Sequence, residues 1–211
     1  PPRTPPTPKL IAAAMTSLDG VIQAPAGAGE DRSGGFALGG WVWPYASDGD
    51  EVMGGLFSRP FELVLGRRTY DIFAGYWPTY DSDDFASLAS RFNRTAKHVA
   101  THDPSRLQWR NSHALGTDVA ASLAALKRED GPDLVTQGSS DLVHQLLAGD
   151  VVDELVLLVF PILLGHGKRL FDGRARPSAF QLESATPSAT GVLTCSYRRA
   201  GDVRTGSPDS G

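Results

Sequence analysis

The sequence predicts an α/β domain with a mixed, mostly parallel sheet covered by helices on both faces. Apolar segments of strand length alternate with segments of helical spacing from residue 9 to residue 171, the pattern of a layered α/β fold. Residues 152–164 form an almost continuous run of Val, Leu and Ile, which indicates a strand buried on both faces. Residues 179–183 and 191–198 alternate like strands and predict a C-terminal antiparallel hairpin.

The composition is typical of a single globular domain. The chain has 211 residues, of which 41% are hydrophobic and 21% are charged. We expect the domain to cover residues 9–200, between a disordered proline-rich tail at 1–8 and a disordered polar tail at 201–211. The single cysteine excludes an intramolecular disulfide and fits a reducing compartment, so we expect a cytoplasmic protein.

Charge and hydropathy exclude several classes of partner. The net charge is −4 and no cluster of Lys and Arg is longer than a pair, which argues against nucleic acid and anionic membranes. No apolar run approaches the roughly 18 residues that span a bilayer. The five histidines lack the paired spacing of a metal site, and no nucleophile elbow or Walker loop is present. A small molecule is therefore the expected partner.

Four predicted strands end in turns that carry Gly, hydroxyl or basic residues. These strands end near Met15, Leu65, Ala100 and Thr136. Because the carboxyl ends of parallel strands meet at one edge of a sheet, and ligands bind there, we expect the four turns to form one site. Their chemistry favours a ligand that carries phosphate.

Two of these turns have the donors that phosphate requires. Gly138 allows close backbone approach, and Ser139 or Ser140 could cap the following helix, whose N-terminus attracts anions. Arg67 and Arg68 open the other turn with two guanidinium groups. An ordinary capped turn and a solvated basic helix start are the structural alternatives.

Residues 25–40 are rich in Gly and Ala, and a loop of this length is usually functional or disordered. Aromatic residues follow it, and they either line a pocket for a flat ligand or close the end of the sheet. The carboxylates at positions 48–51 either cap a helix or place a proton donor in the pocket.

Four segments together resemble the dihydrofolate-reductase-like superfamily, at residues 17–22, 66–70, 137–142 and 152–171. The resemblance is greatest to the C-terminal reductase domain of riboflavin biosynthesis and its stand-alone bacterial relatives, and it covers about residues 9–198. It implies a three-layer α/β/α fold and an NADPH-dependent reductase that transfers hydride to a small heterocyclic or carbonyl substrate, at a CH–NH, C=N or C=O group. It also implies a homodimer, which the apolar run at 156–163 would suit.

The resemblance further implies roles for individual residues. The cofactor contacts are Ala14, Met15, Asp19, Ile22, Gly66, Arg67, Arg68, Thr69, Thr101, His102, Gly138, Ser139, Ser140 and Leu142. The expected substrate contacts are Trp43, Asp50 and Phe57, and Asp50 is also the candidate catalytic proton relay. Two alternatives stay open: dihydrofolate reduction, which requires Asp50 to face a pterin pocket, and a non-catalytic NADPH-binding sensor.

Overall fold

The structure is a computed structural model that describes residues 7–48 and 55–207. The strands are β1 (Leu10–Ser17), β2 (Phe61–Gly66), β3 (Lys97–Ala100), β4 (Ser112–Ala114), β5 (Asp133–Gln137), β6 (Glu154–Phe160), β7 (Ala179–Pro187) and β8 (Leu193–Gly201). The α-helices of the described ranges are α1 (Arg67–Tyr76), α2 (Ala86–Arg94), α3 (Val119–Leu126) and α4 (Ser140–Ala148). None of them is long and apolar enough to cross a membrane.

Within the described residues the strands form one sheet in the order β4-β3-β2-β5-β1-β6-β8-β7. All pairs from β4 to β6 are parallel, whereas β8 runs antiparallel to both β6 and β7. The predicted mixed sheet and its C-terminal antiparallel pair are therefore confirmed. Because β6 lies between β1 and β8, its apolar run is explained by the sheet itself, and the homodimer stays a prediction.

Helices cover the sheet on two faces, as the three-layer prediction required. Val64 packs on one face with Leu123 of α3 and Leu146 of α4. Its neighbours Leu63 and Leu65 pack on the other face, with residues of α1 and α2. Successive side chains of a strand point to opposite faces, so the uninterrupted apolar strands are those that need cover on both sides.

Element boundaries differ from the sequence prediction where local chemistry interrupts a pattern. The polar segment 81–94, whose apolar residues have helical spacing and predict a helix from residue 81, becomes an α-helix only at Ala86, after a 3-10 turn at Asp83–Phe85. The strand predicted over 152–164 stops at Phe160, because Pro161 has no N–H to donate to the sheet. Pro8, assigned to the N-terminal tail, is buried.

One lysine is buried in this fold. The Lys97 side chain is fully buried on β3, where its Nζ donates to the carbonyl oxygens of Asn93 (3.2 Å) and Arg110 (3.1 Å). The ammonium also lies 4.2 Å from the centre of the Trp109 ring. Burial is the main cause that lowers the pKa of Lys97 from 10.5 to about 8, and the nearby Arg110 charge adds to it.

Lys97 is expected to make the stability of the fold depend on pH. Its folded pKa lies below its unfolded value, so the unfolded chain binds more protons between pH 8 and 10.5, and the free energy of unfolding rises with pH. We expect a rise of about 1 kcal/mol from pH 7 to pH 9 in urea denaturation, and little of that rise in Lys97→Met. An equal rise in both proteins would contradict this assignment.

Candidate functional site

A cavity of about 1040 Å³ lies at the carboxyl ends of the parallel strands. Its wall includes Met15 at the end of β1, Gly66 at the end of β2, Ala100 at the end of β3 and Gln137 at the end of β5. The four turns that the sequence indicated therefore open on one cavity. Its volume is at the upper end of the usual range for ligand pockets, which suits a long ligand.

Ser139 joins the two turns expected to hold phosphate. Its hydroxyl accepts from the Gly66 backbone N–H at 3.1 Å and donates to the Thr69 hydroxyl at 2.6 Å. The Ser139 backbone is left-handed, with φ 63°, and its side chain does not cap α4. The predicted capping role is thus wrong for Ser139, because the hydroxyl bonds across to the β2 turn instead.

Gly66 leaves room for this bridge. A Cβ atom at Gly66 would lie 3.0 Å from the Ser139 Oγ and 3.1 Å from the Ser139 Cβ, which is closer than side chains normally approach. The Gly66 φ of −70° suits any residue, so space and not backbone freedom selects glycine here. The N-termini of α1 and α4 consequently face the same cavity, side by side.

The two arginines of the β2 turn point to different partners. Arg67 forms a bidentate ion pair with Asp71 (3.0 and 2.8 Å). Its Nη1 donates to the carbonyl oxygen of Asp103, in the turn after β3, at 3.4 Å. Arg68 forms an ion pair of 2.8 Å with Asp31, in the loop after β1. Both arginines line the cavity.

Two residues were predicted to contact the cofactor in the turn after β3, and one of them lies in the wall. His102 lines the cavity, whereas Thr101 does not. The Thr101 hydroxyl accepts from the Asp103 backbone N–H at 3.1 Å, which stabilises its own turn. Five other predicted cofactor contacts lie in the wall, and their role stays a prediction: Met15, Ile22, Gly138, Ser140 and Leu142.

Two of the cofactor contacts that the resemblance implies, Ala14 and Asp19, lie outside the wall. Ala14 is buried in the core on the face opposite Met15, as strand alternation requires. The Asp19 carboxylate accepts from the Ser17 hydroxyl at 2.6 Å and from the backbone N–H groups of Leu164 and Gly165. These bonds lower the pKa of Asp19 to about 2, and they fasten the segment after β6 to the β1 turn.

The three predicted substrate contacts have different positions. Trp43 lines the cavity, and its Nε1 donates to the Ala26 carbonyl at 2.5 Å. Phe57 is fully buried, with its ring centre 4.8 Å from that of Phe61 and 4.9 Å from that of Phe92, so it belongs to the core and not to the wall. Asp50 lies outside the described residues.

The loop after β1 adds acidic residues that sequence reasoning missed. Asp31 is buried, and its carboxylate accepts from the Ser33 N–H (2.9 Å), the Ser33 hydroxyl (2.6 Å) and the Lys168 ammonium (2.8 Å). These donors hold the pKa of Asp31 well below its usual range although burial opposes them. The Asp-Arg-Ser spacing, which suits a side-chain-to-backbone turn, was the available signal.

Glu30 is the second acidic group of the loop, and it also lines the cavity. Its Oε2 accepts from the backbone N–H groups of Ala26 (3.1 Å) and Gly27 (3.0 Å). Burial nevertheless raises the pKa of Glu30, assisted by the neighbouring Asp31 charge. The wall therefore contains two carboxyl groups, adjacent in sequence, whose pKa values are shifted in opposite directions.

Comparisons with known proteins agree with the fold of the chain. Residues 8–194 match the family model of the RibD C-terminal domain. Among curated relatives, the uncharacterized protein YwjB of Bacillus subtilis (strain 168) is 27% identical over 77% of this chain and 82% of its own length.

Solved structures with the same fold include two proteins of different description. A protein assigned to riboflavin biosynthesis from Shewanella sp. PV-4 superposes with a TM-score of 0.65 at 21% identity, over 91% of this chain and 99% of that one. Dihydrofolate reductase from Enterococcus faecalis, complexed with NADP(H), gives 0.60 at 16% identity, over 93% and 99%.

Proposed function

The chain belongs to the RibD C-terminal domain family, and from this premise we propose that it is an NADPH-dependent reductase of a small heterocyclic or carbonyl substrate. A reductase-type function is what the family and the fold support. The observation that carries the proposal is that the Ser139 bridge brings two helix N-termini together in a cavity that Arg67 also lines. That donor set fits the phosphates of a dinucleotide.

Arg67 is the proposed ligand of the adenosine 2′-phosphate. Its guanidinium lies on the β3 side of the turn, where Asp71 holds it in a fixed orientation and His102 lies in the same wall. A guanidinium held by a carboxylate loses less rotamer entropy when it binds a phosphate. This position would favour NADPH over NADH.

The pyrophosphate would lie between the turns at Gly66–Thr69 and Gly138–Ser140. The first-turn N–H groups of a helix have no partner within the helix, and here two such groups of donors face one cavity. Gly138, with φ 71°, keeps the backbone free of a side chain on the approach to α4.

The nicotinamide end would lie against Met15 and Ile22, the wall residues at the β1 end. Bound NADPH would supply the hydride, and the protein would orient the ring and exclude water. Burial raises the pKa of Glu30 above its ordinary value, and Glu30 lines the wall, so it is the described group that we propose as proton donor to the substrate.

The test is a titration of the purified protein with NADPH and with NADH, followed by tryptophan quenching and nicotinamide fluorescence. We expect tight binding of NADPH and at least about tenfold weaker binding of NADH, as one lost charge-assisted contact implies. No binding of either nucleotide would refute the reductase proposal.

A turnover assay separates the reductase from its alternatives. Oxidation of NADPH in the presence of dihydrofolate, blocked by methotrexate, would favour dihydrofolate reduction. The panel of test substrates is dihydrofolate, aminopyrimidinones with a C=N bond or a ribosylamino group, and aldehydes. Binding of NADPH without its oxidation in the presence of any of these compounds would favour a sensor.

A further inference from the structure

Arg68 lies next to Arg67 but makes contacts of a different kind. The Arg68 Nη2 forms an ion pair of 2.8 Å with the Asp31 Oδ1, which connects the first turn of α1 to the loop that follows β1. The guanidinium is about half exposed, whereas the Asp31 carboxylate is almost wholly covered. The bridge therefore ends on a fixed acceptor inside the loop.

Lys168 also forms an ion pair with the Asp31 carboxylate. The Lys168 ammonium lies 2.8 Å from the other Asp31 oxygen, and the Lys168 backbone N–H donates to the Gln23 side chain at 2.9 Å. The Gln23 amide in turn donates to the Ser33 carbonyl at 2.9 Å. One carboxylate thus connects α1, the loop and the segment after β6.

The loop so fastened forms part of the cavity wall. Residues 23–27, with Glu30 and Asp31, line the cavity together with the helix N-termini. The backbone at Gly39 packs closely against this loop, since a Cβ there would lie 2.6 Å from the Gly27 carbonyl oxygen. A ligand that leaves the cavity on this side must displace the loop or pass beside it.

We propose that Arg68 is a positioning residue: its ion pair with Asp31 holds residues 23–31 over the bound dinucleotide and slows its release, while Arg67 recognises the phosphate. This role rests on the proposed function. Arg68 meets an acceptor that is already fixed, so the pair loses less side-chain freedom than an ordinary surface ion pair.

The test measures release of NADPH and of NADH by stopped flow in Arg68→Ala, Asp31→Asn and the double variant. Each single variant is expected to release both nucleotides about fivefold faster, within the range of one ion pair to a covered carboxylate. The double variant should be no faster than the faster single variant, because both remove the same bridge. The NADPH-to-NADH affinity ratio should stay constant, and Arg68→Lys should recover part of the loss.

Matched controls remove one charge elsewhere. Arg198 and Glu183 form an exposed ion pair of 2.8 Å on the C-terminal hairpin, so Arg198→Ala and Glu183→Gln change net charge equally without touching the loop. Both controls should release nucleotide like the parent protein.

Two results would overturn the proposal. Tighter NADPH binding in Asp31→Asn would mean that Asp31 competes with a phosphate for Arg68. A loss of NADPH affinity alone in Arg68→Ala would make Arg68 a phosphate ligand. Hydrogen exchange of the amides at 26–33 without nucleotide should be faster in Arg68→Ala, so failure of the bridge can be distinguished from failure of the cofactor proposal.

Discussion

Replacement of Arg67 by alanine is expected to abolish the preference for NADPH, with a loss of NADPH affinity of about 10- to 100-fold and a change of less than about twofold for NADH. The lost interaction is a charge-assisted contact with the 2′-phosphate, worth roughly 1.5–3 kcal/mol. The size of the effect follows from orientation, because Asp71 fixes the Arg67 guanidinium through two hydrogen bonds before any ligand binds.

The measurement is the same pair of fluorescence titrations, at low and at high ionic strength. In the parent protein, the ratio of NADPH to NADH affinity should fall as salt screens the exposed contact, and in Arg67→Ala it should be insensitive to salt. Arg198→Ala is the control for a lost positive charge. An equal loss for both nucleotides would place Arg67 at a group that they share.

Replacement of Gly66 by alanine is expected to weaken NADPH and NADH alike, by about tenfold or more, and to cost about 1–3 kcal/mol of stability. The new Cβ would lie about 3.0 Å from the Ser139 Oγ, so Ser139 must move by a few tenths of an ångström. That movement weakens the bridge to Thr69 and shifts the two helix N-termini relative to each other.

A second substitution tests whether Ser139 is the cause. Ser139→Gly in the Gly66→Ala background removes the two Ser139 atoms that the Cβ would crowd and leaves the ordinary contact with the Leu142 Cβ at 3.7 Å. Glycine also accepts the left-handed backbone at this position. The free energy of unfolding should recover. The nucleotide affinity should recover only in part, because the Ser139 hydroxyl that forms the bridge is absent from the double variant. Gly131→Ala, whose Cβ would meet only Pro8 at 3.9 Å, is the matched control. A loss of NADH affinity much smaller than that of NADPH would count against a shared pyrophosphate site.

The parts of the fold that local pattern determines could be predicted. β1 and β5 are central and covered on both faces, so their composition alone indicates strands, and the glycine-containing turns after β2 and β5 mark where a cavity must open. The same reasoning brought Gly66, Arg67 and Gly138 to one site.

The contacts that could not be predicted join residues far apart in sequence. Asp31 and Lys168 are separated by 137 positions, and neither has a local pattern that names the other. Ser139 occupies the N-cap position of α4, but its backbone is left-handed and its hydroxyl binds Thr69. This contact depends on the tertiary structure and not on the local sequence. The sequence around Phe57 is equally compatible with a position in the pocket and with a position in the core. The structure places Phe57 in the core, in contact with Phe61 and Phe92.

The most direct test of the central claim is a map of backbone amide chemical-shift changes when NADPH is added to the ¹⁵N-labelled protein. If the strand-end cavity is the cofactor site, the largest changes will fall at residues 66–69, 137–142 and 100–102, and they will be smaller at 66–69 with NADH. Changes confined to the β7–β8 hairpin, or no changes at saturating NADPH, would contradict it.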